Sequence, residues 1–212
     1  MRHNPRHASD DPALVRRLVA EHPWATIVSQ HDGDLVASHY PVLLDPDHPL
    51  ALLTHVGRPD ETLHGFGRGA EVLVVLQGHH GYVSPSWYVP GASGAPTWNF
   101  TAAHLHGVPQ VLDAEENLRV LTSLVAHFEQ HVDDPLWLDQ TWGAQAAQGT
   151  VGLRIPIDRF TLKVKMSQDK DETSVQNVVD ALRRPGPYEH PALASDMERA
   201  RRERVGLPAE KD

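Results

Sequence analysis

Three short segments hold the residue types that could do chemistry. The first is Thr54-His55-Val56-Gly57-Arg58, where an apolar run enters a turn. A hydroxyl, an imidazole and a guanidinium beside a glycine could hold a phosphate. Arginine offers a planar fork of donors that matches phosphate oxygens, and each charge-assisted hydrogen bond contributes about 1.5–3 kcal/mol. A lone arginine on an exposed loop is the plainer alternative. The second segment is KVKMSQDK, with Lys163 and Lys165 on one face of a strand and Ser167 and Gln168 at its end. It could form a second polar wall of the same pocket, with Lys163 left facing solvent. The third is the stretch from His80 to Phe100, which carries Tyr82, Trp87, Tyr88 and Trp98. Pro85, Pro90 and Pro96 stiffen it, and Gly91, Ser93 and Gly94 form a flexible tip. Flat side chains on a stiff backbone suit the wall of a site for a flat aromatic ligand. The same aromatics could equally anchor a long loop to the core. The prolines imply that SPSWY and APTWNF are not ordinary central-strand sequence.

Other chemistries find less support. His104 and His106 share a strand face and could bind a transition metal, but no third ligand is identifiable, so no metal site is expected. Ser84 and Ser86 lack the G-x-S-x-G elbow, and no G-x-G-x-x-G or P-loop pattern occurs. Cysteine is absent, which excludes disulfides, thiolate metal sites and a catalytic thiol. The formal net charge of −9 argues against a nucleic-acid binder, whose affinity comes largely from Lys and Arg on phosphates. No apolar run is long enough to span a bilayer, and MRHNPRHASDD lacks a signal-peptide core. A cytoplasmic location away from membranes is the expectation.

The elements that must position these segments read as follows. Asp10-Asp11-Pro12 starts a helix with Leu14, Val15, Leu18 and Val19 on one face, and His22-Pro23 ends it. WATIVSQ and LVASHYPVLL flank Asp32-Gly33, a strong hairpin signal, and Pro41 implies an edge or a bulge. LALLTHV is a third strand, and residues 57–69 form an irregular or helical crossing. EVLVVLQG is a fourth strand, apolar enough to be buried on both faces. A strand follows from Asn99 to Leu112. Asp113 and Glu116 resemble a capping box at the start of a helix bearing Leu118, Leu121, Leu124, Val125 and Phe128. Residues 151–166 read as the last strand region, and Ser174 as the cap of a helix through Leu182. The remainder reads as a solvated helix or tail. The pattern predicts a mainly β chain with helical additions, an antiparallel barrel rather than a Rossmann sheet.

HGYVSPSWY, PTWNFTAAHLHG and KVKMSQDK, in this order, resemble the PaiB-like family of FMN-binding negative transcriptional regulators. The resemblance runs from the first helix through Leu182. It implies a split β-barrel of the pyridoxamine-phosphate-oxidase-like, FMN-binding group, a homodimer with FMN at its interface. The domain would cover 1–184, with a helical or flexible extension over 185–212. SHYPVLL, with Ser38 and His39, matches the family's early strand. THVGRPD matches a later segment through His55 and Arg58, with Gly57 and Asp60 replacing the usual Ala and Asn. Asp169 and Lys170 likewise stand where Asn and Arg are usual. By this resemblance Thr54 and Arg58 hold the FMN phosphate. Ser38, His39, His55, Tyr82, Trp87, Trp98, Asn99, Lys165, Ser167 and Gln168 complete the cofactor site. The implied function is a negative transcriptional regulator or flavin-dependent sensor. Two alternatives stand beside it. One is an FMN-dependent oxidoreductase akin to flavin reductases, with His39, His55 and Tyr82 as candidate acid–base groups. The other is a heme-binding or heme-degrading barrel using His104 and His106. Direct DNA binding finds no helix-turn-helix, and the basic stretch from Arg199 to Arg204 is diluted by Glu198 and Glu203.

Overall fold

The computed structural model describes residues 1–138 and 140–205. Residues 206–212, the end of the expected extension, and the side chain of Arg204 lie outside the described residues. Strand β1 (Ala8–Ser9) precedes α1 (Pro12–Glu21). The Asp11 carboxylate accepts from the Ala13 amide at 2.8 Å and caps α1, Pro12 presets its first turn, and Val15, Leu18 and Val19 are buried. Strands β2 (Trp24–His31) and β3 (Asp34–Pro41) form the expected hairpin. Asp32 and Gly33 both have positive φ, 50° and 91°, which matches the two-residue turn that follows strand twist. β3 ends at Pro41 and lies at the edge of its sheet, as the proline implies.

β4 (Leu43–Leu44) and β5 (Ala51–Gly57) follow, then the short helix α2 (Arg58–His64). β6 (Val72–Val83) is longer than expected and is not buried on both faces. Val72, Val74 and Leu76 are buried, whereas Leu73 and Val75 are partly covered. The apolar run thus marks a one-sided strand. A Pro85–Trp87 3-10 turn leads on to β7 (Thr97–Gly107). Here the proline argument fails, because Thr97–Phe100 opens a central strand. Pro96 lies one residue outside it, where no ladder donor is required. β8 (Gln110–Val111) leads to α3 (Ala114–Glu129). Asp113 caps α3 by accepting from the Glu116 amide, but the Glu116 carboxylate turns instead to Arg154. Helix α4 (Gln140–Gln148) had no counterpart in the sequence reading.

The expected strand over 151–166 is two strands, β9 (Thr150–Pro156) and β10 (Arg159–Lys165), which belong to different sheets. α5 (Glu172–Arg183) is capped by Asp171, whose carboxylate accepts from the Ser174 amide. The Ser174 hydroxyl instead accepts from the Val89 amide at 3.1 Å, so Ser174 is not the cap. α6 (Pro191–Val205) is not solvated all round: Leu193, Ala194 and Met197 are buried. Among the described residues no helix is long and apolar enough to cross a membrane.

The sheets are antiparallel where their pairings are described. One has the order β1-β10-β7-β6-β2-β3, the other β4-β5-β9-β8. The chain divides into two compact units. Unit 1 comprises 1–9, 77–102 and 162–212, and unit 2 comprises 10–76 and 103–161. The core of unit 1 gathers Val83, Tyr88 and Met166 with Val178, Leu182 and Leu193 from α5 and α6. In unit 2, Leu112, Val120 and Leu124 pack with Leu43 and Leu53 under α3. Gly107 in that unit is required, because a Cβ there would lie 1.9 Å from the Pro156 carbonyl oxygen.

Candidate functional site

In unit 2 the sequence-identified residues fall on β3, β5 and α2. Ser38 and His39 are neighbours on β3 and therefore point to opposite faces. The exposed His39 has its Nδ1 3.0 Å from the Thr26 hydroxyl, and its ring stacks on Trp24 at 6.4 Å. Ser38 points the other way and meets His64 on α2. Thr54 is fully buried, and its hydroxyl donates to the Pro41 carbonyl at 2.7 Å. That bond ties β5 to the end of β3 and uses the proton that Thr54 would offer a phosphate. His55 faces the opposite side of β5. Its Nδ1 is buried without a hydrogen-bond partner, and burial lowers its pKa, which keeps the ring neutral. Arg58 is exposed at the start of α2, where its Nε donates to the Gln148 carbonyl at 2.6 Å. Its backbone amide donates to Gly149, so the α4–β9 turn sets the position of the guanidinium.

Ser38 and Tyr40 belong to two hydrogen-bonded groups that sequence reasoning missed. The Tyr40 hydroxyl donates to Asp60 Oδ2 at 2.5 Å. The Ser38 hydroxyl lies 2.9 Å from His64 Nε2, and His64 Nδ1 lies 2.8 Å from the Ser29 hydroxyl, so the imidazole bridges two serines. The phenol pKa of Tyr40 is pushed up to about 12, first by burial and then by the Asp60 hydrogen bond. Burial lowers the pKa of His64, and Asp60 partly opposes this. The available signals were the alternation of Ser38 with Tyr40 and the four-residue spacing of Asp60 and His64. Asp60, which stands where the family usually has Asn, accepts from Tyr40.

In unit 1 the aromatic residues gather. Tyr82 meets Trp87 edge-on at 6.2 Å and Tyr188 at 5.1 Å, while Trp87 meets Tyr188 at 6.0 Å. Tyr188 was not singled out from sequence, because it lies about a hundred residues away in the chain. Trp98 is 53% exposed and lies 6.2 Å from His80. Asn99, next on β7, is 0% exposed. Its Nδ2 donates to Ser167 Oγ at 2.9 Å and to Met197 Sδ at 3.4 Å, and its Oδ1 accepts from the Ser167 hydroxyl at 3.2 Å. Ser167 is buried with φ +60°, so this reciprocal pair holds a backbone conformation that costs about 1–3 kcal/mol. Lys165 donates to the Thr97 hydroxyl, and burial, followed by Lys163, lowers its pKa. Gln168 accepts from the Met166 amide at 2.6 Å and donates to the Arg6 carbonyl, which ties down the N-terminal segment. Lys163 lies 5.7 Å over the Phe100 ring.

Residues 1–159 match the profile of a family described as "Putative FMN-binding domain". The chain is 30% identical over 172 residues to the Bacillus subtilis "Protease synthase and sporulation protein PAI 2", covering 79% of this chain and 82% of that protein. Two solved structures share the fold. The FAD and heme binding protein of Mycobacterium smegmatis superposes with a TM-score of 0.62 at 19% identity, over 80% of this chain and 78% of that one. The flavocytochrome Anf3 of Azotobacter vinelandii gives 0.63 at 14% identity, over 83% and 78%. The family profile spans most of the chain and the Bacillus relative matches over about four-fifths of both chains, so the chain belongs to the FMN-binding domain family that the PaiB-like motifs indicate.

Proposed function

We propose that the chain is an FMN-binding split-barrel protein that works in the cytoplasm as a homodimeric flavin-dependent sensor or negative transcriptional regulator. The family match over residues 1–159 carries this reading. Open hydrogen-bond valences support it. The Arg58 side chain uses only Nε among the described residues, which leaves both terminal nitrogens for a phosphate. His55 is proposed to flank the flavin, with its Nδ1 buried beneath the surface. Thr54 in unit 2, and Asn99 and Ser167 in unit 1, are proposed as positioning residues, since their polar atoms are already bonded. Ser38, His39, Tyr82, Trp87, Trp98, Lys165 and Gln168 remain proposed neighbours of the cofactor.

The homodimer reading is supported by the outer face of the β2–β3 hairpin. Pairing puts Trp24, Thr26 and Val28 on one face with Leu35, Ala37 and His39, and Trp24 and Leu35 are exposed. An apolar, uncovered face at a sheet edge is what a second copy would cover. The acidic charge favours regulation by an indirect route over direct DNA contact. Titration of the flavin-free protein with FMN and, in parallel, with riboflavin tests the reading. Saturable quenching of FMN fluorescence with much weaker binding of riboflavin is expected, because riboflavin lacks the phosphate. No quenching by either ligand overturns it.

A flavin-dependent oxidoreductase is the second reading, and two hydrogen-bonded groups, Ser29–His64–Ser38 and Tyr40–Asp60, favour it. FMN would supply the hydride chemistry. The chain would supply and remove protons through Ser38, His64, Tyr40 and Asp60. Nicotinamide oxidation in the presence of FMN, slowed about tenfold or more in Asp60→Asn, would support it. No turnover above free FMN would reject it.

A further inference from the structure

A cavity of about 330 Å³ opens in unit 2 where α2, α3, α4 and β9 meet. Its size lies within the range of small-molecule sites. Leu118, Ala147 and Val151 give it an apolar wall, and Arg58, Glu61 and Asn117 bring polar groups to it. Arg58 and Glu61 lie three residues apart on α2, yet they form no ion pair with each other. Among the described residues the Arg58 side chain donates only through Nε, and the Glu61 carboxylate has no partner. Asn117 is 5% exposed. Its Nδ2 faces three acceptors, the Ala147 and Thr150 carbonyls and the Thr150 hydroxyl, at 3.1–3.4 Å. Those acceptors fix the amide orientation, so Oδ1 is the atom left buried without a donor. That oxygen packs toward Gly152 on β9, so the polar groups open to the cavity are those of Arg58 and Glu61.

We propose that this cavity binds a small apolar amino acid, or an amphiphile of that size carrying both an ammonium and a carboxylate. The carboxylate pairs with the terminal nitrogens of Arg58. The ammonium donates to Glu61, and the side chain lies on the Leu118–Ala147–Val151 wall. A bare anion is disfavoured, because Asp113 also lines the cavity and unit 2 carries 7 Lys and Arg against 18 Asp and Glu. A bare amine leaves Arg58 without a partner. The inference rests on the cavity and not on flavin binding. Arg58 serves both, so a bound amino acid and an FMN phosphate compete for one guanidinium.

The test is calorimetry on the flavin-free full chain with L-leucine and L-phenylalanine, and with 4-methylpentanoate and 3-methylbutylamine as the two half-ligands. Saturable binding of an amino acid is expected, stronger than that of either half-ligand. It should weaken about tenfold in Arg58→Ala and in Glu61→Gln. It should also be lost in Ala147→Phe, which fills the cavity, while circular dichroism shows each variant folded. Absence of saturable binding by both amino acids up to about 10 mM overturns the proposal. Binding that Ala147→Phe leaves unchanged overturns it too. Flavin quenching is a separate readout, so failure here and failure of the flavin reading are distinguishable.

Discussion

Two polar clusters, one in each unit, differ in what they have left to give. Asn99 and Ser167 in unit 1 bond each other in both directions, and Asn99 adds a bond to Met197. Arg58 and Glu61 in unit 2 hold donors and acceptors that no neighbour uses. Charge follows a similar division. Unit 1 has 12 Lys and Arg against 10 Asp and Glu, a net of +2, while unit 2 carries −11. A closed cluster fixes the backbone, and an open one is free to meet a ligand. Polar residues that look alike in the sequence therefore do different work.

The largest effect should come from opening the closed cluster. Asn99→Ala leaves the Ser167 hydroxyl buried and unpaired at a positive-φ position. It should destabilise the fold by about 1–3 kcal/mol, read as a lower midpoint in urea denaturation. An unchanged midpoint would mean that the pair contributes nothing to stability. Arg58→Ala is the converse experiment. Its exposed side chain should alter stability by no more than about 0.5 kcal/mol, yet FMN binding should weaken tenfold or more, about 1.4 kcal/mol. A large loss of stability with unchanged FMN affinity would reverse the roles assigned to the two clusters.

Acid should act on the buried imidazoles. Burial holds His64 and His55 below the ordinary 6.5. The unfolded chain therefore binds protons first as the pH falls. Stability is fully present above about pH 7 and declines below the unfolded pKa, until the folded imidazoles also charge. His64→Gln should flatten that decline by up to one proton, measured from urea midpoints between about pH 7 and pH 5. An identical slope would show that His64 is not held neutral. The smallest effect is expected at Trp98. It is 53% exposed, so Trp98→Ala should change stability by less than about 0.5 kcal/mol. If Trp98 lies against the flavin, the same variant should raise the fluorescence of bound FMN.

Local signals in the sequence read well. Asp11 and Asp113 cap helices, Asp32-Gly33 turns the hairpin, and Pro41 marks the edge strand. What stayed hidden depends on contacts between distant residues. Pro96 suggested a loop, but the strand starts immediately after it. Residues 151–166 read as one strand region, yet Pro156 and the close approach at Gly107 divide them between two sheets. Ser174 has the residue type of a cap, and only the position of Val89 gives its hydroxyl other work. In the candidate site, family motifs led to Ser38, His55 and Arg58. His64 on α2 stayed hidden, because its partners Ser29 and Ser38 sit on β2 and β3. Glu61 and Asn117 were equally hidden, since an unmet hydrogen bond shows itself only when every neighbour is in place.

The central claim is that this chain binds FMN with the phosphate on Arg58. Parallel fluorescence titrations of flavin-free wild type and Arg58→Ala with FMN test it most directly. Saturable quenching in the wild type and at least about tenfold weaker binding in the variant is the predicted result. No saturable quenching in the wild type, or equal affinity in the two proteins, would contradict it.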